Sequence, residues 1–501
     1  MKVKRNLLAG ISNSVISALL GIAVIPFYLK YLGVESYGLI GFFATMQAML
    51  QVLDIGISPT INREVARCSA IGKLSDSGRL LHTLAVVYWG VAAIIVLTIL
   101  MISPLISKYW LESKHLPSET ILHAVMLMGL VIACRWPVGL YQGAIIGAQR
   151  SVLSSIINMI MAIVGNLGAV GVLLYISPTI EAFFIWQAIV GLAYAIFMRW
   201  GAWKVIGNSK AQSFDLDVLK NVWRFTAGMS AIALSGIILS QLDKVILSSM
   251  LSLELFGHYM LATAIVSGIY LLILPVFNII YPRFSALLAS GSLEELTKIY
   301  RLGSRMLAVF IFPSVMFLVL FGQNLVAVWT GNQEVAKAVA PVISILAMGS
   351  ALHGMMYFPY ALQLAYGDMR LPLNICTILI ICMVPLIIIF TRTYGLLGGA
   401  IAWLTLQIIY MILGVWLTHR KILNGLGPKW LIVDVGLPLL VSIFFGLTWK
   451  YLIQINSSSD YWNVLLGLGV ALFATVASIL MTPKLRSFIF DGIRSKINYL
   501  I

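Results

Sequence analysis

Charged side chains are scarce in this chain, and the few inside long apolar stretches are where chemistry has to be sought. A charge at the centre of a bilayer costs roughly 2.5–3.5 kcal/mol or more, so it persists only with a use or a partner. Arg135 stands just before Trp136-Pro137 in the apolar stretch 121–147. Arginine does not deprotonate to escape burial. It must meet water, an anion or a carboxylate, and the proline beside it frees a backbone carbonyl and bends the helix. The favoured reading is a cavity cation that meets a phosphate; the other is an ion pair with Asp243 or a carbonyl. Asp243 and Lys244 follow Gln241 in the stretch 225–250. Adjacent helix positions project about 100° apart, so no side-by-side pair is expected between them. Asp243 is a candidate to pair with Arg135 or to bind a coupling cation. Lys244 either contacts an anion in the cavity or snorkels outward. His353, in the stretch 338–366, is a candidate proton carrier, although a neutral, hydrogen-bonded core histidine is the commoner arrangement. Asn13 and Gln47 complete the cavity candidates. Ser17, Asn158 and Asn166 are read as interhelical hydrogen-bonding groups.

Other chemistries lack their residues. The sequence has no Walker motif, no HExxH and no Ser/His/Asp set among its exposed stretches, so no catalytic residue is assigned. The four cysteines, Cys68, Cys134, Cys376 and Cys382, have no metal-site spacing and read as small buried hydrophobes. No cofactor or metal is expected beyond a coupling ion, H+ or Na+. The net charge of +15 is not a nucleic-acid signature, because basic stripes with interleaved aromatics and RNA motifs are missing.

The elements that must carry these residues are transmembrane helices. Of 501 residues, 60% are hydrophobic and only 10% charged, where a soluble chain has about 25%. Mean hydropathy is +0.99. The hydropathy pattern predicts an all-α polytopic membrane protein with about 14 spans of roughly 20 residues, from 7–29 and 39–57 to 431–453 and 462–482. The chain also repeats itself. Leu32-Gly33-Val34-Glu35-Ser36-Tyr37-Gly38 falls opposite Met250 to Gly257, Arg63 opposite Arg283, and Gly147-Ala148-Gln149-Arg150 opposite Gly367-Asp368-Met369-Arg370, at an offset close to 220 residues. Such a repeat predicts two pseudo-symmetric six-helix bundles, residues 1–205 and 206–420, followed by a helix pair, 421–483, and a cytoplasmic amphipathic tail, 484–501. Of the 33 Lys and Arg, only Lys30, Lys108, Lys114, Lys337, Arg392 and Lys450 fall on outer segments when both termini are placed inside.

Leu32 to Gly38, then Asp54-Ile55-Gly56-Ile57 with Asn62-Arg63-Glu64-Val65-Ala66, and Tyr141-Gln142-Gly143 with Gly147 to Arg150, resemble bacterial polysaccharide flippases. These are the Wzx-type O-antigen transporters of the multidrug/oligosaccharidyl-lipid/polysaccharide exporter superfamily. The resemblance implies alternating access, coupled to an ion gradient, that carries undecaprenyl-pyrophosphate-linked oligosaccharide from the cytoplasmic to the periplasmic leaflet of the inner membrane. It implies basic cavity residues that meet pyrophosphate, a position held here by Arg135 and Lys244. Membrane lipids, a polysaccharide polymerase and a chain-length regulator are the candidate partners. Two sister activities compete. A multidrug exporter favours an acidic cavity, and a lipid II flippase is expected to carry charge in its first span, whereas 7–29 has none. A membrane-embedded polymerase or ligase would need a large outer loop, and the longest outer segment runs only from about Pro104 to Thr120.

Overall fold

The computed structural model describes residues 2–54, 56–72, 74–207, 214–367, 369–452, 459–482 and 486. Its described elements are helices, with one isolated β-bridge between Glu112 and Ser252. Among the described residues, eleven helices are long and apolar enough to cross a membrane, or twelve when a pair bent by 48° counts as one span. The chain is therefore a multi-pass membrane protein. Helical spans are the physical solution for such a sequence, because each backbone group finds its partner within its own segment.

The expected count of about 14 is not reached among the described residues. The first two expected spans, 7–29 and 39–57, are redrawn as α1 (Lys2–Ala23) and α2 (Ile25–Leu50). The break falls at Val24, ahead of Pro26, and α2 runs through the expected loop with one non-helical residue, Gly33 at φ +80°. Expected span 225–250 lies within α9 (Leu216–Met250), whose side chains are described at Leu216 and from Leu234 onward. The amphipathic tail expected over 484–501 lies outside the described residues apart from Arg486.

Backbone contacts divide the chain into two compact units, residues 1–257 and 258–501. The first holds α1, α2, α3 (Ile57–Ala70), α4 (Ser77–Leu105), α5 (Ser118–Arg135), α6 (Val138–Gly147), α7 (Ser151–Tyr175), α8 (Ile180–Ile206) and α9. Its core joins Ile61 and Val65 of α3, Leu84 and Tyr88 of α4, Tyr141 and Ile145 of α6, and Met198 and Ala202 of α8.

Small residues set the closest approaches. Gly139, Gly143 and Gly147 lie four apart on one face of α6. A Cβ on Gly143 would stand 2.8 Å from the Ser58 carbonyl oxygen, and one on Gly147 2.4 Å from that of Asn62. Such a stripe lets α6 lie against α3 backbone to backbone. Gly38 and Gly257, which the repeat aligns, also lie back to back. A Cβ on either would meet a carbonyl oxygen of the other segment, Leu253 or Val34, at 2.4 Å. Beside them the buried Glu35 carboxylate accepts from Ser113 Oγ at 2.8 Å and from the backbone amides of Lys114, His115 and Leu116 at 3.0–3.2 Å. Gly33, Glu35 and Gly38 are thus a bend, a loop anchor and a contact point in succession.

The second unit contains α11 (Tyr270–Ala289), α12 (Leu293–Thr330), α13 (Gln333–Tyr366), α14 (Arg370–Tyr394), α15 (Leu396–Lys421), α16 (Gly427–Lys429), α17 (Leu437–Leu452) and α18 (Asp460–Leu480). The helix α10 (Leu253–Ser267) straddles the division. In this unit α12 packs on both α13 and α18. Asp434, fully buried, accepts from Arg301 Nε at 2.7 Å and from Arg305 Nε. One turn away, the buried Trp430 donates from Nε1 to Ser304 Oγ at 2.8 Å.

Candidate functional site

A cavity of about 940 Å3 opens within the first unit, lined by parts of α1, α2, α5, α6, α7 and α8 and by Ile237 of α9. The break between α5 and α6 positions its most unusual side chain. Apolar residues carry α5 to Arg135, Trp136 and Pro137 interrupt the helix, and α6 resumes at Val138. Pro137 has no amide hydrogen to continue the ladder, so the hydrogen-bond ladder is interrupted beside the arginine within the single span Ser118–Gly147.

Arg135 leans on α8. Its Cγ lies where a Cβ on Gly191 would come within 3.2 Å, and one Nη donates to Gln187 Oε1. Gln187 is oriented in turn by donation from Nε2 to the Gly165 carbonyl at 3.2 Å. The guanidinium carbon sits 5.8 Å from the centre of the Phe43 ring. No carboxylate among the described residues pairs with Arg135. A neutral amide and a ring face help to solvate the cation but leave its charge uncancelled.

The rest of the wall is mostly apolar, with uncharged polar side chains set into it. Asn13, Ser17, Gln47, Gln51, Gln142, Asn158 and Asn166 line it, and Asp54 is the one acid among the described residues of the lining. Two buried polar atoms of the lining have no hydrogen-bond partner, Asn13 Oδ1 and the indole Nε1 of Trp136. Orphaned buried groups are uncommon and call for an explanation. Here one is a donor on the residue next to Arg135.

Three sequence candidates therefore meet in one cavity: Arg135, Asn13 and Gln47. Lys244, Asp243 and His353 do not line it. Lys244 Nζ lies 3.1 Å from Asp243 Oδ1 and donates to the Ser240 carbonyl at 2.7 Å. The adjacent pair that helix geometry argued against does form, because the four-carbon lysine stem folds back along the helix and brings its ammonium to its neighbour. Arg135 bonds to Gln187 instead of to Asp243. His353, half-buried in the second unit, bonds through Nδ1 to the Tyr270 hydroxyl at 2.8 Å and touches the rings of Tyr357, Trp403 and Tyr410. That is the hydrogen-bonded core histidine.

Sequence reasoning missed Gln187, Phe43, Trp136 and Asp54. The aromatic and amide residues carry no signal in an apolar stretch. Asp54 did carry one, an acid at the end of the expected span 39–57, and it was used only as part of a motif.

Residues 30–336 match the family described as polysaccharide biosynthesis protein. The chain belongs to that family. The match bears out the resemblance drawn from the motifs, and it includes Gln47, Asp54, Arg135 and Gln187. No curated protein sequence matches the chain. Among solved structures, this polysaccharide biosynthesis family member is similar to the lipid II flippase MurJ in an inward closed conformation, with TM-score 0.70 and 15% identity over 97% of this chain and 99% of that one. It is also similar to the inward-facing conformation of a multidrug resistance MATE family transporter of the MOP superfamily, with TM-score 0.63 and 14% identity over 82% and 96% of the two chains. At these identities the likeness is one of fold.

Proposed function

We propose that the protein is a flippase for an undecaprenyl-pyrophosphate-linked oligosaccharide, an O-antigen repeat unit or a related surface-polysaccharide unit. It moves the head group from the cytoplasmic to the periplasmic leaflet of a bacterial inner membrane by alternating access, with both termini cytoplasmic. In this reading the halves are two six-helix bundles, 1–205 and 206–420, with 421–483 beside them. The observation that carries it is Arg135, a cation with no carboxylate partner among the described residues, in the wall of a cavity dotted with amide side chains, within a membrane protein of a polysaccharide biosynthesis family. A pyrophosphate-sugar head does not cross hydrocarbon unaided, since each charge meets a barrier of several kcal/mol. A cavity of about 940 Å3 is at the large end of small-ligand sites and has room for a pyrophosphate and sugar units. Arg135 provides charge and a planar set of donors for phosphate oxygens, with the Trp136 indole N–H next to it in sequence. The polyprenyl tail stays in lipid throughout.

The test is reconstitution in liposomes with a fluorescent undecaprenyl-pyrophosphate oligosaccharide, comparing wild type with Arg135→Gln. Wild type moves the probe between leaflets, and a well-folded Arg135→Gln loses at least tenfold in rate. Equal rates would remove Arg135 from the substrate path. Asp54 in the same cavity favours one rival, a multidrug exporter of cationic compounds. Efflux of cationic dyes, without movement of any lipid-linked sugar, would decide for that reading.

A further inference from the structure

The cavity holds one acid that the anion reading leaves unused. Asp54 closes the short turn Gln51–Asp54 after α2. Its carboxylate accepts from Ser58 Oγ at 2.8 and 3.0 Å and from the Tyr88 hydroxyl, and those two hydroxyl oxygens are themselves 3.3 Å apart. Gly139 of α6 makes the space: a Cβ there would stand 3.0 Å from Asp54 Oδ2 and 3.2 Å from Ser58 Oγ. No described lysine, arginine or histidine forms an ion pair with Asp54. The titratable or charged groups that face it are Tyr88 from α4 and, around the same cavity, Tyr28 and Tyr37 from α2, Arg135 from α5 and Tyr194 from α8. On α6, Tyr141 accepts from Trp89 Nε1 at 3.3 Å.

Among the described residues the lining contains two formally charged side chains, Arg135 and Asp54, and they are not paired with each other. With Asp54 ionised their charges sum to zero. With Asp54 protonated the lining is a net cation. Hydroxyl donors stabilise the anionic carboxylate without cancelling its charge, so an anion entering the cavity meets the repulsion of Asp54 along with the attraction of Arg135.

We propose that Asp54 is a proton-binding site whose occupancy sets the affinity of this cavity for an anionic ligand. The inference rests on the reading that the cavity binds a pyrophosphate-linked head group. A proton adds to Asp54 and removes one negative charge, and the anion then binds Arg135 without a competing carboxylate. Linkage is reciprocal: the bound anion strengthens proton binding by the same factor. A proton suits the site better than a metal ion. The side-chain oxygens gathered here are those of one carboxylate and two hydroxyls, and the hydroxyls already point their hydrogens at the carboxylate, whereas hard cations take six or more oxygens.

The experiment uses full-length protein in lipid nanodiscs and a farnesyl-pyrophosphate-linked sugar, whose pyrophosphate diester keeps one charge state across the range used, about pH 5 to 8. Wild-type affinity is expected to rise as pH falls, by roughly 5- to 150-fold, with proton uptake on binding in weakly buffered solution. Asp54→Asn is expected to bind at every pH with the low-pH affinity of wild type and to take up no protons. Tyr88→Phe removes one donor to the carboxylate, and is expected to move the midpoint to higher pH while leaving low-pH affinity unchanged. An Asp54→Asn protein that keeps the wild-type pH profile and proton uptake overturns the proposal and leaves the anion site standing, provided Arg135→Gln abolishes binding. Absence of binding by wild type at every pH overturns both. Should Asp54→Asn not fold, an unmoved midpoint in Tyr88→Phe overturns the proposal.

Discussion

Arg135 keeps its charge within the membrane by leaning on neutral partners, Gln187 and the Phe43 ring. Each holds the guanidinium in place without occupying it as a carboxylate would. Phe43→Leu removes the ring face, which is worth about 0.5–2 kcal/mol in a desolvated setting. Affinity for the farnesyl-pyrophosphate-linked sugar should fall by about 2- to 30-fold, measured by equilibrium binding, with some loss of thermal stability because Phe43 is buried against the Phe184 ring. Unchanged affinity would mean that the ring does not orient the cation. Arg135 was legible in the sequence because one arginine among apolar residues is a large departure in transfer free energy. Lys244 was equally visible, yet its role was not, because reach along a flexible stem rather than helical angle decided its partner.

Helix α6 owes its place to the absence of side chains. Gly139, Gly143 and Gly147 put it against α3, and that contact holds Asp54 and Ser58 in the cavity wall. Gly143→Ala places a methyl 2.8 Å from a backbone oxygen, and Gly147→Ala places one at 2.4 Å. Neither oxygen can rotate away, so each substitution should cost about 1–3 kcal/mol of stability by overpacking. Gly171→Ala on α7, with nothing within 4 Å, serves as the control and should be neutral or slightly stabilising. Thermal unfolding of the purified variants checks this; equal melting points for Gly147→Ala and Gly171→Ala would refute the close contact. Four-residue glycine spacing was readable from the sequence, but which helix it faced was not. The breaks at Val24 and at Trp136-Pro137 were foreshadowed by Pro26 and Pro137. The extent of α2 across the expected loop was not, because hydropathy marks apolar length and not the continuity of backbone hydrogen bonds.

At the scale of the molecule, each unit has its own charged or polar anchor. In the second, Asp434 binds Arg301 and Arg305 and so ties the segment leading into α17 to α12. Removing one member of a buried ionic group leaves the others uncompensated and costs about 3–5 kcal/mol. Asp434→Ala should therefore lower the melting temperature clearly and speed amide exchange across residues 430–452. A triple change that also replaces both arginines with methionine should recover much of the loss. If Asp434→Ala melted and exchanged as wild type does, the anchor would have no weight.

The sequence by itself determined the solvent in which this protein folds, the helical class that follows from it, the family and the arginine at the heart of the cavity. These depend on transfer free energy and on local spacing, which are additive along the chain. Only the tertiary structure decided which charges share a cavity. Asp54 and Arg135 lie 81 positions apart in sequence and line one wall, while Asp243 and Lys244 neutralise each other and His353 is held in an aromatic setting. Partner choice of that kind depends on how helices pack in three dimensions, and packing is set by glycine faces and helix breaks acting between segments far apart in the chain.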